Sequence, residues 1–600
     1  MIKKMKKTFL LTIVILQGIF FQETVLAQWS PDPFENQKVR DTAANNVVPH
    51  VAINPGGDCY ISWYTSTEDL NFDVYMQYFD HQGNKQWPEP GLLLSHHATD
   101  TWVSDYDLVA DPDGCAVLIT QDKRDGFSNA FAYRVSQDGQ MKWGPDGIRI
   151  TDEEYNNYTP QVIVTPDNDY IFLNNMYSPD TTKESMLNLK KIGKEGNLIW
   201  DKTLSAGMMD LYWGRMLFTE DNNLMLSYLV KDIYPDTMPG QQHYIHVFLQ
   251  KFDPEGNSLW PEPVQADSGD VMIYGSLITI PYLANDGKGG AYIAWQSFLN
   301  QNPTVLANHI DAGGNLTWPG HGIPVSTNYN NFHSNPGVYY NPGLDQLFII
   351  WQEYHYDDVN LSDCWAVAGQ KFSSSGERLW SDTSTFLVPM ICSIDTTLTE
   401  ICLSAGPGNS LFFSYFKNYL YISNTDTTVR SEIYGCLVDQ DGNAVWPDGI
   451  VPISLVTSEK GDCYQSRFND THWIIAWEDL RIHSDDPWNS GIYAQNVTGT
   501  GNLGQTSIGE ISIDQPGIML VYPNPFTDEI SLEYSVMRKS EISISIYDHL
   551  GRCLVKNDLG IRDAGIYVDK LSVGRLITGI YFLKLQADAH PITIKIIKSH

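Results

Sequence analysis

A short phrase recurs along most of this chain: a polar turn reaches Gly, usually followed by Asn, and Trp stands four residues after the Gly. Successive Trp residues of this phrase are 56 to 66 residues apart. The copies are Gly83–Trp87, Gly139–Trp143, Gly196–Trp200, Gly256–Trp260, Gly314–Trp318, Gly376–Trp380 and Gly442–Trp446. Repetition at a nearly fixed period indicates a repeat fold, in which one small unit is copied and packs against its neighbours.

Each unit also contains four short runs that are rich in β-branched and aromatic residues and are bounded by Gly, Asn, Asp and Pro. Such runs predict strands, and the Gly-Asn pair suits a tight turn between the third and fourth of them. Four strands in about 58 residues are typical of a β-propeller blade. We therefore predict an all-β propeller, with the recurring Trp packed between neighbouring blades and a recurring Gln (Gln77, Gln250, Gln370 and Gln495) as a structural hydrogen-bonding position.

The eighth unit lacks its last strand. Its turn, Gly501-Asn502, is followed by Gln505 where the phrase requires Trp, whereas Trp29 precedes Trp87 by 58 residues, the repeat spacing. We expect residues 28–40 to supply the missing strand, so that the propeller spans residues 28–503 and has no open sheet edge. With Trp29 included, the eight structural Trp residues predict eight blades, and a ring of seven blades with one divergent unit is the alternative.

The first residues have the pattern of a secretory signal peptide. Lys3, Lys4, Lys6 and Lys7 precede the apolar run from Phe9 to Phe21, and Val25-Leu26-Ala27 offers small residues at a cleavage site. This pattern predicts a signal peptide over residues 1–27 and a mature chain that begins near Gln28. No later stretch is long and apolar enough to predict a transmembrane segment.

The pattern changes after residues 504–517, which read as a linker. Residues 518–600 contain alternating polar and apolar runs without a further Trp phrase, and this alternation predicts a small antiparallel β-sandwich.

This last segment resembles the type A C-terminal sorting domain of the type IX secretion system of Bacteroidetes. The matching residues are Tyr522, Pro523, Asn524, Pro525 and Phe526, then Gly551 within Leu550-Gly551-Arg552, then Gly579, Tyr581 and Lys584, and the basic end Lys595-Ile596-Ile597-Lys598. The resemblance implies export across the outer membrane, with the type IX translocon as the partner that reads this domain. It also implies that the cargo is released or held at the cell surface.

Charge separates the two parts. The whole chain has a formal net charge of −34, residues 518–600 are close to neutral at +1, and residues 28–517 carry −38. An acidic propeller argues against nucleic acid and against anionic lipid as partners, because both are recognised by basic surfaces.

The sequence contains no strong catalytic or metal-binding motif. HExxH, GxSxG, GxGxxG and P-loop patterns are absent, and the histidines are scattered, His96-His97 and His243 with His246 included. We expect no cofactor, although Asp111-Pro112-Asp113-Gly114 and His483-Ser484-Asp485-Asp486 offer oxygen ligands that suit calcium. The pairs Glu478/Asp479 and Asp357/Asp358 suit a glycosidase by composition, but adjacent residues on a strand face opposite sides.

The eight cysteines show no CxxC pair and read mainly as buried thiols. One or two disulfides between neighbouring strands stay open, because an exported chain meets an oxidising environment.

These observations favour an exported or cell-surface propeller that binds a glycan or a protein without catalysis. The alternative is a glycan-active enzyme whose carboxylates meet at the propeller axis. Whether the chain is an enzyme stays open, with the balance against it. The Trp residues outside the repeat phrase are the expected binding face, among them Trp102, Trp213, Trp365 and Trp488.

Overall fold

The computed structural model describes residues 29–599, apart from 43, 68–70, 100–105, 152–154, 179–182, 208, 233–244, 268–280, 300–301, 423–426, 483–488, 505–518, 523–525, 537–538, 549–551, 563–564 and 588–589. The expected signal peptide, Trp102, Trp488, the second calcium candidate, Gly551 and the Pro523–Pro525 part of the sorting motif lie outside the described residues. The chain divides into two compact units, residues 1–505 and residues 506–600.

The first unit is built from four-stranded antiparallel sheets, which we number in chain order. Strand β1 (Gln37–Arg40) comes first. Sheet 1 holds β2 (Asn46–Ile53), β3 (Cys59–Ser66), β4 (Phe72–Phe79) and β5 (Leu92–Ser95). Sheet 2 holds β6 (Asp107–Ala110), β7 (Ala116–Asp122), β8 (Asn129–Val135) and β9 (Ile148–Arg149). Sheet 3 holds β10 (Asn156–Val164), β11 (Tyr170–Tyr177), β12 (Met186–Ile192) and β13 (Leu198–Leu204). Sheet 4 holds β14 (Met209–Phe218), β15 (Leu224–Asp232), β16 (Ile245–Phe252) and β17 (Val264–Gln265).

The remaining sheets repeat this order. Sheet 5 holds β18 (Tyr282–Asn285), β19 (Ala291–Leu299), β20 (Asn302–Ile310) and β21 (Ile323–Pro324). Sheet 6 holds β22 (Phe332–Asn341), β23 (Gln346–Asp357), β24 (Ser362–Ser373) and β25 (Thr385–Ser393). Sheet 7 holds β26 (Thr396–Ala405), β27 (Leu411–Ile422), β28 (Thr427–Val438) and β29 (Ile450–Ser458). Sheet 8 holds β30 (Lys460–Gln465), β31 (His472–Asp479) and β32 (Gly491–Thr498), with β1 as its fourth strand.

The sheets are arranged as a ring. The first strand of each sheet contacts the first strands of the sheets before and after it, and β30 of sheet 8 contacts β2 of sheet 1. Apolar clusters fill the spaces between consecutive sheets, for example between sheets 6 and 7. The expected all-β propeller fold is confirmed.

The Trp of the repeat phrase joins each sheet to the next one. The indole Nε1 of Trp87 donates to the carbonyl of Gln137 at 2.9 Å, and that carbonyl lies two residues before the turn glycine of the next unit, Gly139. Equivalent bonds of 2.9–3.3 Å run from Trp143, Trp200, Trp260, Trp318, Trp380 and Trp446 to Lys194, Pro254, Ala312, Ser374, Gln440 and Gly499. The turn glycine packs on the ring, so a side chain in its place would meet the indole.

Strand β1 pairs antiparallel with β32, which brings the start of the described chain into the last sheet. Trp29 packs under Gly83 and stacks on Phe79 with ring centroids 5.9 Å apart. Gln495 Nε2 donates to the Ser30 carbonyl at 2.9 Å, as Gln77 does to the Trp87 carbonyl at 3.0 Å. The N-terminal strand therefore takes the position that the fourth strand holds in the other sheets.

The second unit contains two antiparallel sheets. Its strands are β33 (Met519–Tyr522), β34 (Glu529–Val536), β35 (Ser540–Asp548), β36 (Cys553–Arg562), β37 (Gly565–Ser572), β38 (Gly579–Ala587) and β39 (His590–Lys598). One sheet has the order β33-β34-β37 and the other has the order β36-β35-β38-β39. A buried cluster that includes Phe526, Ile544 and Tyr581 contains residues of both sheets.

Two aromatic residues of the sorting motif have structural positions in this unit. The Phe526 ring is buried, and its backbone bonds both Ile597 and Ser599 of the chain end. Tyr581 is buried, and its hydroxyl donates to the Ile577 carbonyl at 2.7 Å.

Three further residues of the motif lie on strands. Tyr522 ends β33, Gly579 begins β38, and Lys584 lies further along the same strand as Gly579. Among the described residues no helix is long and apolar enough to cross a membrane.

Candidate functional site

The first strands, which line the axis of the ring, share an irregularity. Six of them have a β-bulge at the same register, and in each the bulge contains a residue other than Gly with positive φ. These residues are Val48, Thr159, Trp213, Asn335, Glu400 and Asp462, with φ between 32° and 53°. In sheets 2 and 5 the equivalent positions lie outside the described residues. A backbone held in this region costs about 1–3 kcal/mol per residue, and such strain is concentrated at functional sites.

The bulges have a partial signal in the sequence that the repeat phrase does not reveal. Pro49, Pro160 and Pro336 each follow the positive-φ residue directly. Proline is excluded from the interior of a regular strand and tolerated at a bulge. A Pro that recurs at the same register of several first strands is therefore a signal from which the bulge could have been inferred.

Three carboxylates meet near the axis at the boundary of sheets 7 and 8, and we call Glu400, Asp462 and Glu478 the axial carboxylates. Glu400 and Asp462 occupy the bulges of β26 and β30 and are exposed, whereas Glu478 lies on β31 and is half-buried. Glu478 Oε1 accepts a 2.7 Å hydrogen bond from the Val48 amide of sheet 1. Its carboxyl also faces Asp462, whose negative charge acts on it.

The surroundings of Glu478 favour its protonated form. Burial and the negative charge of Asp462 raise the pKa of Glu478 to about 9, against the Val48 amide, which lowers it. The Glu400 residue is exposed, but protein atoms surround its carboxyl, and the resulting loss of hydration together with the charge of Asp462 raises the pKa of Glu400. Burial and a like charge both oppose ionisation of a carboxyl, so Glu478 keeps its proton at neutral pH.

Other sheets contribute to the same region. Burial raises the pKa of Tyr282 on β18, with Cys402 and Glu400 adding to the rise and Arg215 opposing it. The Arg215 guanidinium lies 5.3 Å from the centre of the Tyr282 ring. Side chains from sheets 4, 5, 7 and 8 therefore interact at the axis. A cavity of about 340 Å³ is lined by the first strands of sheets 1, 2, 3 and 8, among them Val51, Leu108 and Tyr464.

The two adjacent carboxylate pairs of the sequence have different surroundings. Asp479, the neighbour of Glu478, faces away from the axis into a buried ion pair, with its Oδ2 2.6 Å from Arg481 and 3.8 Å from Lys460. Burial opposes ionisation of Asp479, but Lys460 and Arg481 outweigh it and lower its pKa. Asp357 accepts the Val359 and Asn360 amides and therefore shapes a turn.

A second candidate lies at the end of sheet 6 where β22 begins and β23 turns into β24, two strands that are each 12 residues long. Phe332, Tyr354 and Trp365 are directly opposite one another on β22, β23 and β24, and we call them the aromatic row. Ring centroids are 5.4 Å apart for Phe332 and Tyr354, and 4.6 Å apart for Tyr354 and Trp365. Phe332 is 37% exposed, the other two are half-buried, and Tyr356 continues the same face with 45% exposed.

Covalent and polar contacts hold the aromatic row in place. A disulfide joins Cys364 to Cys392, directly beside Trp365 and its partner Ile391. Tyr354 donates its hydroxyl to Asp363 at 2.8 Å, and burial together with that carboxylate raises the pKa of Tyr354 to about 12. The rings therefore keep a defined arrangement at the rim of the sheet. The disulfide is of the kind that the sequence left open, between neighbouring strands.

Sheet 7 presents a polar wall toward the aromatic row. Alternate residues of β27 and β28 pack with sheet 6 in one apolar cluster, and the same face continues outward to Lys417, Tyr419, Glu432 and Tyr434. Both Tyr434 and Tyr419 donate to Glu432 Oε2, at 2.6 and 3.1 Å. The Lys417 ammonium lies 5.2 Å from the Tyr419 ring centre. The facing ends of sheets 6 and 7 thus combine aromatic surface with fixed charges.

The structure separates the candidates that the sequence proposed. Trp365 belongs to the aromatic row and Trp213 to an axial bulge, so these two Trp candidates do not form one binding face.

His97 and His246 each face one carboxylate, Asp146 at 3.7 Å and Asp267 at 3.1 Å. Asp111 binds Arg134 at 2.9 Å and accepts two backbone amides, which fills the oxygens that calcium would need.

No group of three or more His, Cys, Asp or Glu side chains among the described residues is arranged to hold a metal ion. The register of the aromatic row had no signal in the sequence, because strand pairing brings its members together from positions 11 and 22 residues apart.

Residues 520–599 match the family described as the secretion system C-terminal sorting domain. The resemblance that the motifs indicated is thereby confirmed for this segment, and it supports handling by the type IX secretion system and export. No curated protein matches the chain.

Several solved structures are similar to this chain at low identity and low TM-score. A polysaccharide lyase, Uly1, is 10% identical with a TM-score of 0.38, covering 75% of this chain and 89% of its own. An α-L-arabinofuranosidase of Fusarium graminearum is 9% identical with a TM-score of 0.33, covering 66% and 93%. A protein of unknown function from Dyadobacter fermentans is 11% identical with a TM-score of 0.32, covering 57% and 95%. These likenesses say nothing about the ligand or the activity of this chain.

Proposed function

We propose that this chain is an exported propeller protein that binds a saccharide, without cleaving it, between sheets 6 and 7 at the end that carries the aromatic row. The observation that carries the proposal is the aromatic row, whose rings are partly exposed and are pinned by a disulfide. Aromatic side chains offer large apolar faces at a low cost in conformational entropy. A saccharide presents apolar C–H faces to such rings and hydroxyl groups to nearby charges.

The shape of the site suits a short, twisted chain of sugars. The row crosses three strands, roughly 10 Å at the usual strand spacing of ~4.8 Å. The ring planes of Phe332 and Tyr354 are inclined by 50° to each other, and those of Tyr354 and Trp365 by 46°. Asp363 supplies an acceptor beside these rings, and Glu432 and Lys417 supply an acceptor and a donor on the facing strands of sheet 7. A few fixed polar groups among apolar surface are typical of ligand sites.

Export places this surface outside the cell. The sorting domain supports secretion or attachment at the outer surface, and a signal peptide over residues 1–27 is the part of the route that we propose from the sequence pattern. A propeller at the surface, with residues 28–503 presented and residues 518–600 used for sorting, fits an extracellular ligand.

The proposal is tested with the full secreted chain on an array of oligosaccharides, followed by calorimetry on each hit. Trp365→Ala and Tyr356→Ala should each weaken binding at least tenfold, and the hit should remain intact. Tyr356 is well exposed, so its variant reports on binding even if Trp365→Ala perturbs packing. Tyr177→Ala, which removes a 43% exposed ring on sheet 3, is the matched control. Unchanged binding in both test variants would contradict the proposal.

A second candidate function rests on the axial carboxylates. Glu478 holds a proton near neutral pH beside Asp462, and a carboxyl kept protonated can serve as a general acid in glycoside cleavage. If products form from an oligosaccharide, Glu478→Gln and Asp462→Asn should abolish them, whereas Glu377→Gln on an exposed turn should not. Product formation that survives both axial variants would exclude this candidate.

A further inference from the structure

Cys402 and Cys463 meet at the axis from two different sheets. Cys402 directly follows the bulge of β26, and Cys463 lies within the bulge of β30. These two strands are neighbours in the ring. The Cys402 Sγ is 3.5 Å from the Cys463 carbonyl oxygen, so the Cys402 thiol contacts the backbone of Cys463.

We propose that Cys402 and Cys463 form a disulfide in the exported protein, joining sheet 7 to sheet 8. The Cys402 thiol already lies against Cys463, and rotation of the two side chains is the movement that would bring the sulfurs together. The adjacent strands hold the two residues close, which is the condition a disulfide needs without backbone movement. The bond would be the second in the propeller, after Cys364–Cys392 within sheet 6.

The chemistry balances with an external disulfide as oxidant. One thiol loses its proton and attacks an oxidised thiol oxidoreductase of the exported compartment, which gives a mixed disulfide. The second thiol loses its proton and displaces the oxidoreductase, which leaves as a dithiol. Two protons and two electrons leave the chain, and one S–S bond forms in it. The neighbouring Cys402 thiol and burial raise the pKa of Cys463, which lowers its reactive thiolate fraction in the folded state.

The bond would act on the axial carboxylates. Glu400 and Asp462 lie in the same two bulges, within two residues of Cys402 and Cys463. A covalent link between these bulges fixes the distance between the backbones that carry both carboxylates. It would also strengthen the ring close to the sheet that the N-terminal strand completes.

The test is differential alkylation of the full chain recovered from an oxidising compartment. The protein is denatured in the presence of a light maleimide, which labels every free thiol. It is then reduced and labelled with a heavy maleimide before peptide mapping. Cys402 and Cys463 should carry the heavy label, as Cys364 and Cys392 do, and Cys436, buried in β28, should carry the light one. Light label on Cys402 and Cys463 would overturn the proposal.

A stability measurement tests whether the Cys402–Cys463 disulfide stabilises the fold, which thiols oxidised only during purification would not do. In a Cys364→Ser/Cys392→Ser background, reductant should lower the Tm by several degrees. Adding Cys402→Ser and Cys463→Ser should remove this sensitivity, and adding Cys436→Ser should preserve it. A background that does not respond to reductant would also overturn the proposal.

Discussion

The backbone amide of Val48 donates to Glu478 Oε1 at 2.7 Å. This hydrogen bond joins a carboxyl of sheet 8 to the β-bulge in the first strand of sheet 1. The bond crosses the point where the ring closes. It also ties the most perturbed carboxyl of the axis to the backbone irregularity that six first strands share. The same residue therefore takes part in the contact between sheets 8 and 1 and in the group of axial carboxylates.

Glu478→Gln should make the protein less sensitive to alkaline pH. The pKa of Glu478 lies near 9 in the fold and near 4.5 when the chain is unfolded. The folded state thus keeps a proton that the unfolded chain releases, and its contribution to stability is full below pH 4.5 and is lost as pH rises through 9. Gln keeps the shape and does not titrate. The Tm of the variant minus the Tm of wild type should therefore increase as the pH rises from 5 to 9.

The control for this experiment is Glu377→Gln, which changes an exposed carboxyl on a turn of sheet 6. Its Tm should follow wild type at every pH. Parallel curves for Glu478→Gln and wild type would show that Glu478 ionises normally.

The indole hydrogen bond between sheets should have a measurable value. Trp260 Nε1 donates to Ala312 at 3.1 Å, whereas Trp29 Nε1 is buried without a hydrogen-bond acceptor among the described residues. Trp260→Phe removes a bond worth about 1 kcal/mol, and Trp29→Phe removes an unsatisfied donor. In urea unfolding, Trp260→Phe should therefore lose more stability than Trp29→Phe. An equal loss would mean that the ring packing alone matters.

The turn glycines under the indoles should tolerate no side chain. Gly314 has φ near 85°, and a Cβ there would lie 2.9 Å from the Trp260 ring. Gly320 also has positive φ, 69°, but a Cβ there would meet no atom within 4 Å. Both Gly→Ala changes cost backbone strain of about 1 kcal/mol, and only Gly314→Ala adds overpacking of roughly 1–3 kcal/mol. Chemical unfolding of the two variants measures the difference, and equal stability would contradict the steric role.

If β1 stabilises the ring, substitution of its buried Val39 should lower the stability of the protein more than substitution of its neighbour Lys38. Val39 is 1% exposed, and Lys38 next to it points to solvent. Val39→Asn buries an amide and loses apolar contact, at a cost of about 2–3 kcal/mol, whereas Lys38→Asn should stay within ~0.5 kcal/mol of wild type. The free energies come from urea unfolding of the full chain. A harmless Val39→Asn would show that the strand adds little to the ring.

The propeller and the sorting domain were predictable because their signals are local and repeated. The Gly-to-Trp phrase places a turn, a strand end and a packing residue within five positions, and each copy repeats the same physical requirement. The bulges had only a partial signal: Pro49, Pro160 and Pro336 mark three of them, but Glu400 and Asp462 have no unusual neighbours that predict positive φ.

The sequence by itself determined the strand-rich repeat, the acidic surface and the sorting segment, because residue type and spacing within a few positions set turn, strand and charge. The tertiary structure alone decided which side chains meet. Phe332, Tyr354 and Trp365 become neighbours through strand register, and Glu400, Asp462 and Glu478 converge because the ring brings separate sheets to one axis. Contacts between distant residues depend on how strands pair and how sheets pack, and neither is written in local composition.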